Sequence, residues 1–474
     1  MVFSSITFLY YFLPFFLLIY FLVGKGMKNA VILLGSIIFY SWGAPRFIFV
    51  ILGTTALDFY LVKGIAASQF RGHRLILLML SLCVNLGLLF FFKYSNFFVE
   101  NVNSMLRLVG VREIGWVKLA LPIGISFYTF ETITYVVDVY KGVHKPLRNF
   151  WDYQLYIILF PKLIAGPIIR YHDFAAQIYD HTLYETSENR LRGFYRFCIG
   201  LGKKVLIANV MGATADQLFN MPHDALSTSM AWYGALSYTF QIYFDFSGYS
   251  DMAIGLGLMM GFRFPENFNN PYTSVSITDF WRRWHITLGN WMRNYLYIPL
   301  GGNRVNSRWR LYFNLWLVFL LSGLWHGAAW GFVIWGAYHG SFLVLERLFL
   351  GKWLSGLGRF SVLYTFPVVL VGWVFFKTEN FGHAAAYLHT MFSSVAGNVR
   401  WHPDREYFVI LVIAFFFSFF TLSGAGEKIQ NIVYYKDYTL PMHFVMIICA
   451  FVLCILSTAS ITQSTFNPFI YFRF

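Results

Sequence analysis

Leu75-Ile76-Leu77-Leu78-Met79-Leu80-Ser81-Leu82-Cys83-Val84-Asn85-Leu86-Gly87-Leu88-Leu89-Phe90-Phe91-Phe92 contains no ionisable side chain other than one cysteine thiol. At 1.5 Å per residue such a run approaches the roughly 20 residues that cross a hydrocarbon core. Outward from it the same pattern recurs at Ile6–Val23, Ala30–Ala44, Phe47–Val62 and Leu119–Val137. Further on come Trp232–Met260 (broken by polar residues), Tyr312–Leu324, Ala328–Leu345, Val362–Phe376, Tyr407–Leu422 and Phe444–Leu456. Several fall short of a perpendicular span, so they extend into flanking residues, tilt or re-enter. The expectation is an all-α, polytopic membrane protein with about 10–12 membrane helices plus re-entrant and interfacial ones.

Composition agrees. Of 474 residues, 58% are hydrophobic, 21% aromatic and only 12% charged, half the charge of an ordinary soluble domain at roughly 25%. Disorder, collagen-like structure and a disulfide-stapled secreted fold are excluded. The net charge of +14 sits in short loops between apolar runs, which points to topology and anionic lipid headgroups rather than nucleic acid. Cys83, Cys198, Cys449 and Cys454 lie in apolar stretches without metal-ligand spacing and read as small hydrophobes. The first run lacks a basic leader and is followed by many like it, so it is not read as a cleavable signal.

Alternate early loops are basic: Lys25 and Lys28, then Lys63, Arg71 and Arg74, then Lys141, Lys145 and Arg148. The positive-inside rule therefore places the N-terminus outside and residues 138–151 in the cytoplasm. The connection carrying Lys93, Arg107, Arg112 and Lys118 departs from the alternation. No internal repeat or flexible linker divides the chain. It reads as a single membrane-embedded domain, 1–474, with N-terminal helices over 1–150, a core of broken helices over 151–345 and C-terminal helices over 346–474.

The core carries the chemistry. Leu159-Phe160-Pro161-Lys162-Leu163-Ile164-Ala165-Gly166-Pro167 cannot be a straight spanning helix. It is either a broken or re-entrant element facing protein or water, or a surface loop. Gln241-Ile242-Tyr243-Phe244-Asp245-Phe246-Ser247-Gly248-Tyr249-Ser250-Asp251 sets two carboxylates between apolar stretches. At membrane depth these must pair with Arg or line a substrate path. Trp281, Trp284, Leu288, Trp291 and Tyr295 recur at helical spacing with Arg282, Arg283 and Asn290 opposite, which reads as one amphipathic helix over 278–295. His285 falls at its margin. Leu324-Trp325-His326-Gly327 places one histidine in an apolar stretch beside Gly323 and Gly327. Burial disfavours imidazolium, so a neutral His326 could accept a proton, although a lone buried histidine is more often structural. No P-loop, GxGxxG, HExxH or GxSxG is present, and His326 and His339 lack a third ligand at zinc spacing. The site is read as metal-free.

These residues resemble the membrane-bound O-acyltransferase family, in its bacterial alginate O-acetyltransferase type. The resemblance runs from Met1 to beyond Glu379. It includes Leu121-Pro122-Ile123-Gly124-Ile125-Ser126-Phe127-Tyr128, Leu163–Pro167, Tyr243–Asp251, Phe280–His285, Leu300-Gly301-Gly302-Asn303-Arg304 and Gly323–Gly327. Several blocks in one order are far more specific than any one of them. From about Phe381 only hydrophobicity matches.

The resemblance implies helices around a central funnel or tunnel, with His326 at the family's catalytic histidine and His285 at its second histidine. It also implies cytoplasmic acetyl-CoA as donor substrate with no permanently bound cofactor, and periplasmic acetyltransferase partner proteins that complete delivery to a polysaccharide. The implied location is the bacterial inner membrane. Around the histidines, His285 with Arg282, Arg283 or Asn290 nearby could polarise the thioester carbonyl or place the CoA phosphates. Asp245, Ser247, Tyr249 and Trp325 are the other candidate substrate contacts. Peptidoglycan, cellulose or another exopolysaccharide stand beside alginate as acceptors. A transporter or flippase for acetyl groups, with no chemistry of its own, is the reading from another class; broken helices favour it and the missing inverted repeats count against it.

Overall fold

The computed structural model describes residues 1–399, 401–463 and 468–470. The described residues are mostly helical, and an isolated bridge between Phe268 and Trp284 is the one β contact among them. The chain packs as two compact units: 1–192 with 256–264, and 193–255 with 265–474.

The first unit contains α1 (Leu13–Leu22), α2 (Lys25–Gly43), α3 (Phe47–Ala67), α4 (Arg71–Leu89), α5 (Ser95–Leu108), α6 (Ile125–Tyr140), α7 (Phe150–Ile158), α8 (Phe160–Leu163) and α9 (Tyr171–Tyr179). Helices α3, α4 and α6 pack on one another. Polar residues inside these apolar runs meet each other: Asn85 Nδ2 donates to Asp58 Oδ2 at 2.8 Å, and Gln154 Nε2 to Thr55 Oγ1 at 2.6 Å. Such pairing removes most of the cost of polar groups at membrane depth. The 159–167 stretch is a broken element, as expected: α7 stops at Ile158, α8 makes little more than a turn, and Gly166 closes it. It is buried protein rather than surface loop, and Lys162 lies within it against Glu131.

The second unit contains most of α10 (Ser187–Gly202) and α12 (Thr228–Met259), with α11 (Asn209–Phe219) between them. After the short helices α13 (Ile277–Arg283) and α14 (Ile286–Trp291) come α15 (Arg308–His326), α16 (Trp330–Leu345), α17 (Gly351–Leu357), α18 (Val362–Thr378) and α19 (Phe381–Phe392). Then follow α20 (Arg405–Phe419), α21 (Gly424–Tyr434) and α22 (Leu440–Gln463). Among the described residues, six helical runs are long and apolar enough to cross a membrane: Phe47–Ala67, Arg71–Leu108, Ser187–Phe219, Trp330–Thr378, Arg405–Leu422 and Leu440–Gln463. Other apolar runs form helices too short or too polar for the same test, α6 among them at 16 residues. The runs holding α20 and α22 are only 17% buried; side chains such as Phe408, Phe416, Ile448 and Ile455 point outward, as lipid contact requires. Cys198 and Cys454 lie with sulfurs 3.3 Å apart in an apolar cluster with Met446 and Ala450.

Candidate active site

The amphipathic helix expected over 278–295 is broken. α13 ends at Arg283, Trp284 is extended, and His285 has left-handed backbone (φ 46°, ψ 52°) at the start of α14. Left-handed backbone is uncommon outside glycine, and histidine is among the residues that tolerate it. The break has a tertiary cause. Asn269 N donates to Arg283 O at 2.9 Å and Ile286 N to Asn267 O at 3.0 Å, so the segment 267–269 captures the backbone on either side of His285. α13 is held from its other end. The Glu346 carboxylate accepts Ile277 N at 2.6 Å and Thr278 N at 2.9 Å, and the Ser276 side chain caps Asp279 N.

α15 delivers the second histidine at its last residue. It packs against α16 through glycines: a Cβ on Gly323 would lie 2.2 Å from Phe332 O, and one on Gly336 2.4 Å from Phe319 O. That close approach seats the His326 ring against Trp335 and Phe376, each with centroids 5.2 Å away. Gly336→Ala should force the two helices apart and cost about 1–3 kcal/mol, read as a lower unfolding temperature in detergent. Gly356→Ala, where an added Cβ meets nothing within 4 Å, should leave that temperature unchanged.

The two imidazoles, each at most 4% exposed, face one another with ring centroids 6.3 Å apart. Trp325 touches both, at 4.9 Å from His326 and 5.9 Å from His285. Phe246 of α12 meets His285 edge-on at 4.7 Å. Burial drives the His285 pKa down to about 3, so the ring is neutral at physiological pH. Its Nδ1 lies 3.1 Å from Asn267 Oδ1. Two buried, aromatic-walled imidazoles at this spacing are near enough to act on one small reacting group.

Of the other sequence candidates, Trp325 joins this cluster and Ser247 lines a neighbouring cavity of about 620 Å³, which also takes in Asn267 and Ser250. Tyr249 packs edge-on against Phe469 at 4.9 Å. The carboxylates of α12 are paired: Asp245 with Lys204, and Asp251 with Arg196 at 2.7 Å and Lys203 at 2.6 Å. Arg196 also reaches Glu266 at 2.6 Å. This is the ionic pairing weighed from the sequence, with lysine sharing the part expected of arginine. Arg282 and Asn290 are exposed, and Arg283 is bound to Asp279 at 3.0 Å. The sequence reading passed over Asn267. Its signal was the asparagine-rich turn Pro265-Glu266-Asn267-Phe268-Asn269-Asn270-Pro271, where short amides commonly organise backbone.

The profile of the membrane-bound O-acyltransferase family matches residues 144–353, which include both histidines. The chain is 46% identical to the probable alginate O-acetylase of Pseudomonas aeruginosa over 83% of its own length and 75% of that protein. It is 41% identical to the probable alginate O-acetylase of Pseudomonas putida across the whole of both. With the peptidoglycan O-acetyltransferase of Helicobacter pylori it shares 35% identity over 98% of the chain and 91% of that protein.

Proposed function

The chain belongs to the membrane-bound O-acyltransferase family, and from that premise we propose that it transfers acetyl groups from acetyl-CoA toward hydroxyls of an extracytoplasmic polysaccharide, alginate first. It is an O-acyltransferase of the multi-pass membrane kind. The observation that carries the finer reading is the facing pair His326 and His285, buried 6.3 Å apart inside the family-matched segment.

Neutral His326 takes the proton of the attacking hydroxyl as its oxygen adds to the thioester carbonyl. The tetrahedral adduct collapses, the C–S bond breaks, and the imidazolium returns the proton to the departing CoA sulfur. A positioned base of this kind is worth typically 10²–10⁴-fold. The aromatic walls keep water from competing for the acetyl group. No metal is needed to balance this step. The bacterial inner membrane, an N-terminus on the periplasmic side and periplasmic partner proteins that finish delivery complete the proposal. Peptidoglycan is the second acceptor reading, favoured by near full-length similarity to the Helicobacter pylori enzyme.

Purified protein in nanodiscs, with acetyl-CoA and oligomannuronate or peptidoglycan fragments, is the test. Release of CoA thiol without any membrane gradient, rising with one of the glycans, is the expected result. Passage of acetyl groups across vesicles with the thioester intact would instead establish the transporter reading.

A further inference from the structure

Asn267 is wholly buried between the two halves of the site. Its Nδ2 donates to Ser250 Oγ of α12 at 3.3 Å. Its Oδ1 accepts the backbone N–H of Thr287 at 3.3 Å and the Thr287 hydroxyl at 2.9 Å. A backbone N–H can only donate, so the atom facing it is oxygen, and the amide orientation is settled by chemistry rather than by choice. The same oxygen lies 3.1 Å from His285 Nδ1. An oxygen acceptor requires a donor opposite it. In a neutral imidazole the single proton must then sit on Nδ1, and Nε2 carries the lone pair.

We propose that Asn267 is a positioning residue that fixes His285 as its Nδ1–H tautomer, so that the ring edge away from Asn267 presents a hydrogen-bond acceptor. The consequence for catalysis rests on the acyltransfer reading above. A bare Nε2 cannot donate to a thioester carbonyl. It can accept a hydrogen bond from a neighbouring hydroxyl of the incoming acceptor and so hold the attacking oxygen in place while His326 removes that oxygen's own proton. This replaces the carbonyl-polarising part expected of His285 from the sequence. The anchoring is doubled, because Asn267 O also holds Ile286 N at 3.0 Å: one residue holds the backbone just after His285 and fixes the tautomer of its ring.

The test is the holoprotein labelled with ¹⁵N-histidine in nanodiscs, with the His285 signals assigned by their loss in His285→Gln. The expected spectrum has a protonated Nδ1 and a bare Nε2; the reverse pattern overturns the proposal. Asn267→Ala should mix or reverse the tautomers and lower kcat roughly 10–100-fold while KM for acetyl-CoA moves less than about twofold. Asn267→Asp, which keeps an oxygen opposite Nδ1, should restore the Nδ1–H signal and most of kcat. Wild-type kcat in Asn267→Ala overturns the proposal. Should the variants fail to fold, the wild-type spectrum alone decides. An Nδ1–H tautomer in a protein that never cleaves acetyl-CoA would support Asn267 in this part and defeat the acyltransfer reading instead.

Discussion

His326→Ala is expected to abolish acetyl transfer, with CoA release from acetyl-CoA falling by at least about 10²–10⁴-fold, the usual worth of a positioned general base. The loss should appear in kcat, because the imidazole acts on the transition state and makes no binding contact that a distal sugar would feel. The variant should still insert and run as a single species on size exclusion. The ring it removes leans on Trp335 and Phe376, but α15 and α16 are held together along their length by the approach at Gly323 and Gly336. His326→Gln, closer in volume and still polar, should be as inactive as alanine. Polysaccharide acetylated to the wild-type level in cells expressing either variant would remove His326 from the base role.

The residues that made this site visible in the sequence are those whose chemistry is costly in lipid. Asp245, Asp251 and His326 stood out because an ionisable group amid apolar neighbours demands a partner or a purpose, and the structure supplies Lys204, Lys203 and Arg196 for the first two. The partners themselves were not legible, since nothing along the chain says that residue 204 will face residue 245. The break at His285 was hidden for a different reason. Trp281, Trp284, Leu288 and Trp291 keep helical spacing straight through it, so local periodicity favours one continuous helix. The backbone bonds from Asn267 and Asn269 override that preference from outside the segment. Asn267 escaped notice because it lies 18 residues from the ring it holds and an amide carries no charge to mark it. Polar residues on α3 and α4 show the converse case: Asp58, Ser81 and Asn85 lie inside runs read simply as apolar and are one hydrogen-bonded group.

Lys162→Met should be among the most destabilising single changes in the first unit. Lys162 sits in the broken stretch between Pro161 and Pro167, its side chain wholly buried, paired with Glu131 of α6 and lying 4.8 Å over the Tyr156 ring. Glu131 also accepts Ile169 N at 3.4 Å, so the pair ties both ends of the 159–169 segment to one helix. A broken element has no helical ladder of its own to hold it. Gly124 reinforces the same contact, since a Cβ there would lie 2.7 Å from Leu163 O. Methionine leaves the Glu131 carboxylate buried without its cation, which typically costs about 3–5 kcal/mol. The unfolding temperature in detergent should drop accordingly. Glu131→Leu with Lys162→Met removes both charges and should recover most of the loss, because a buried ion pair contributes little net stability once both members are gone. A single variant that unfolds with the wild type would mean that the prolines and the glycine contact alone keep the segment in place. A double variant no better than the single would mean that the pair stabilises the fold outright rather than offsetting its own burial.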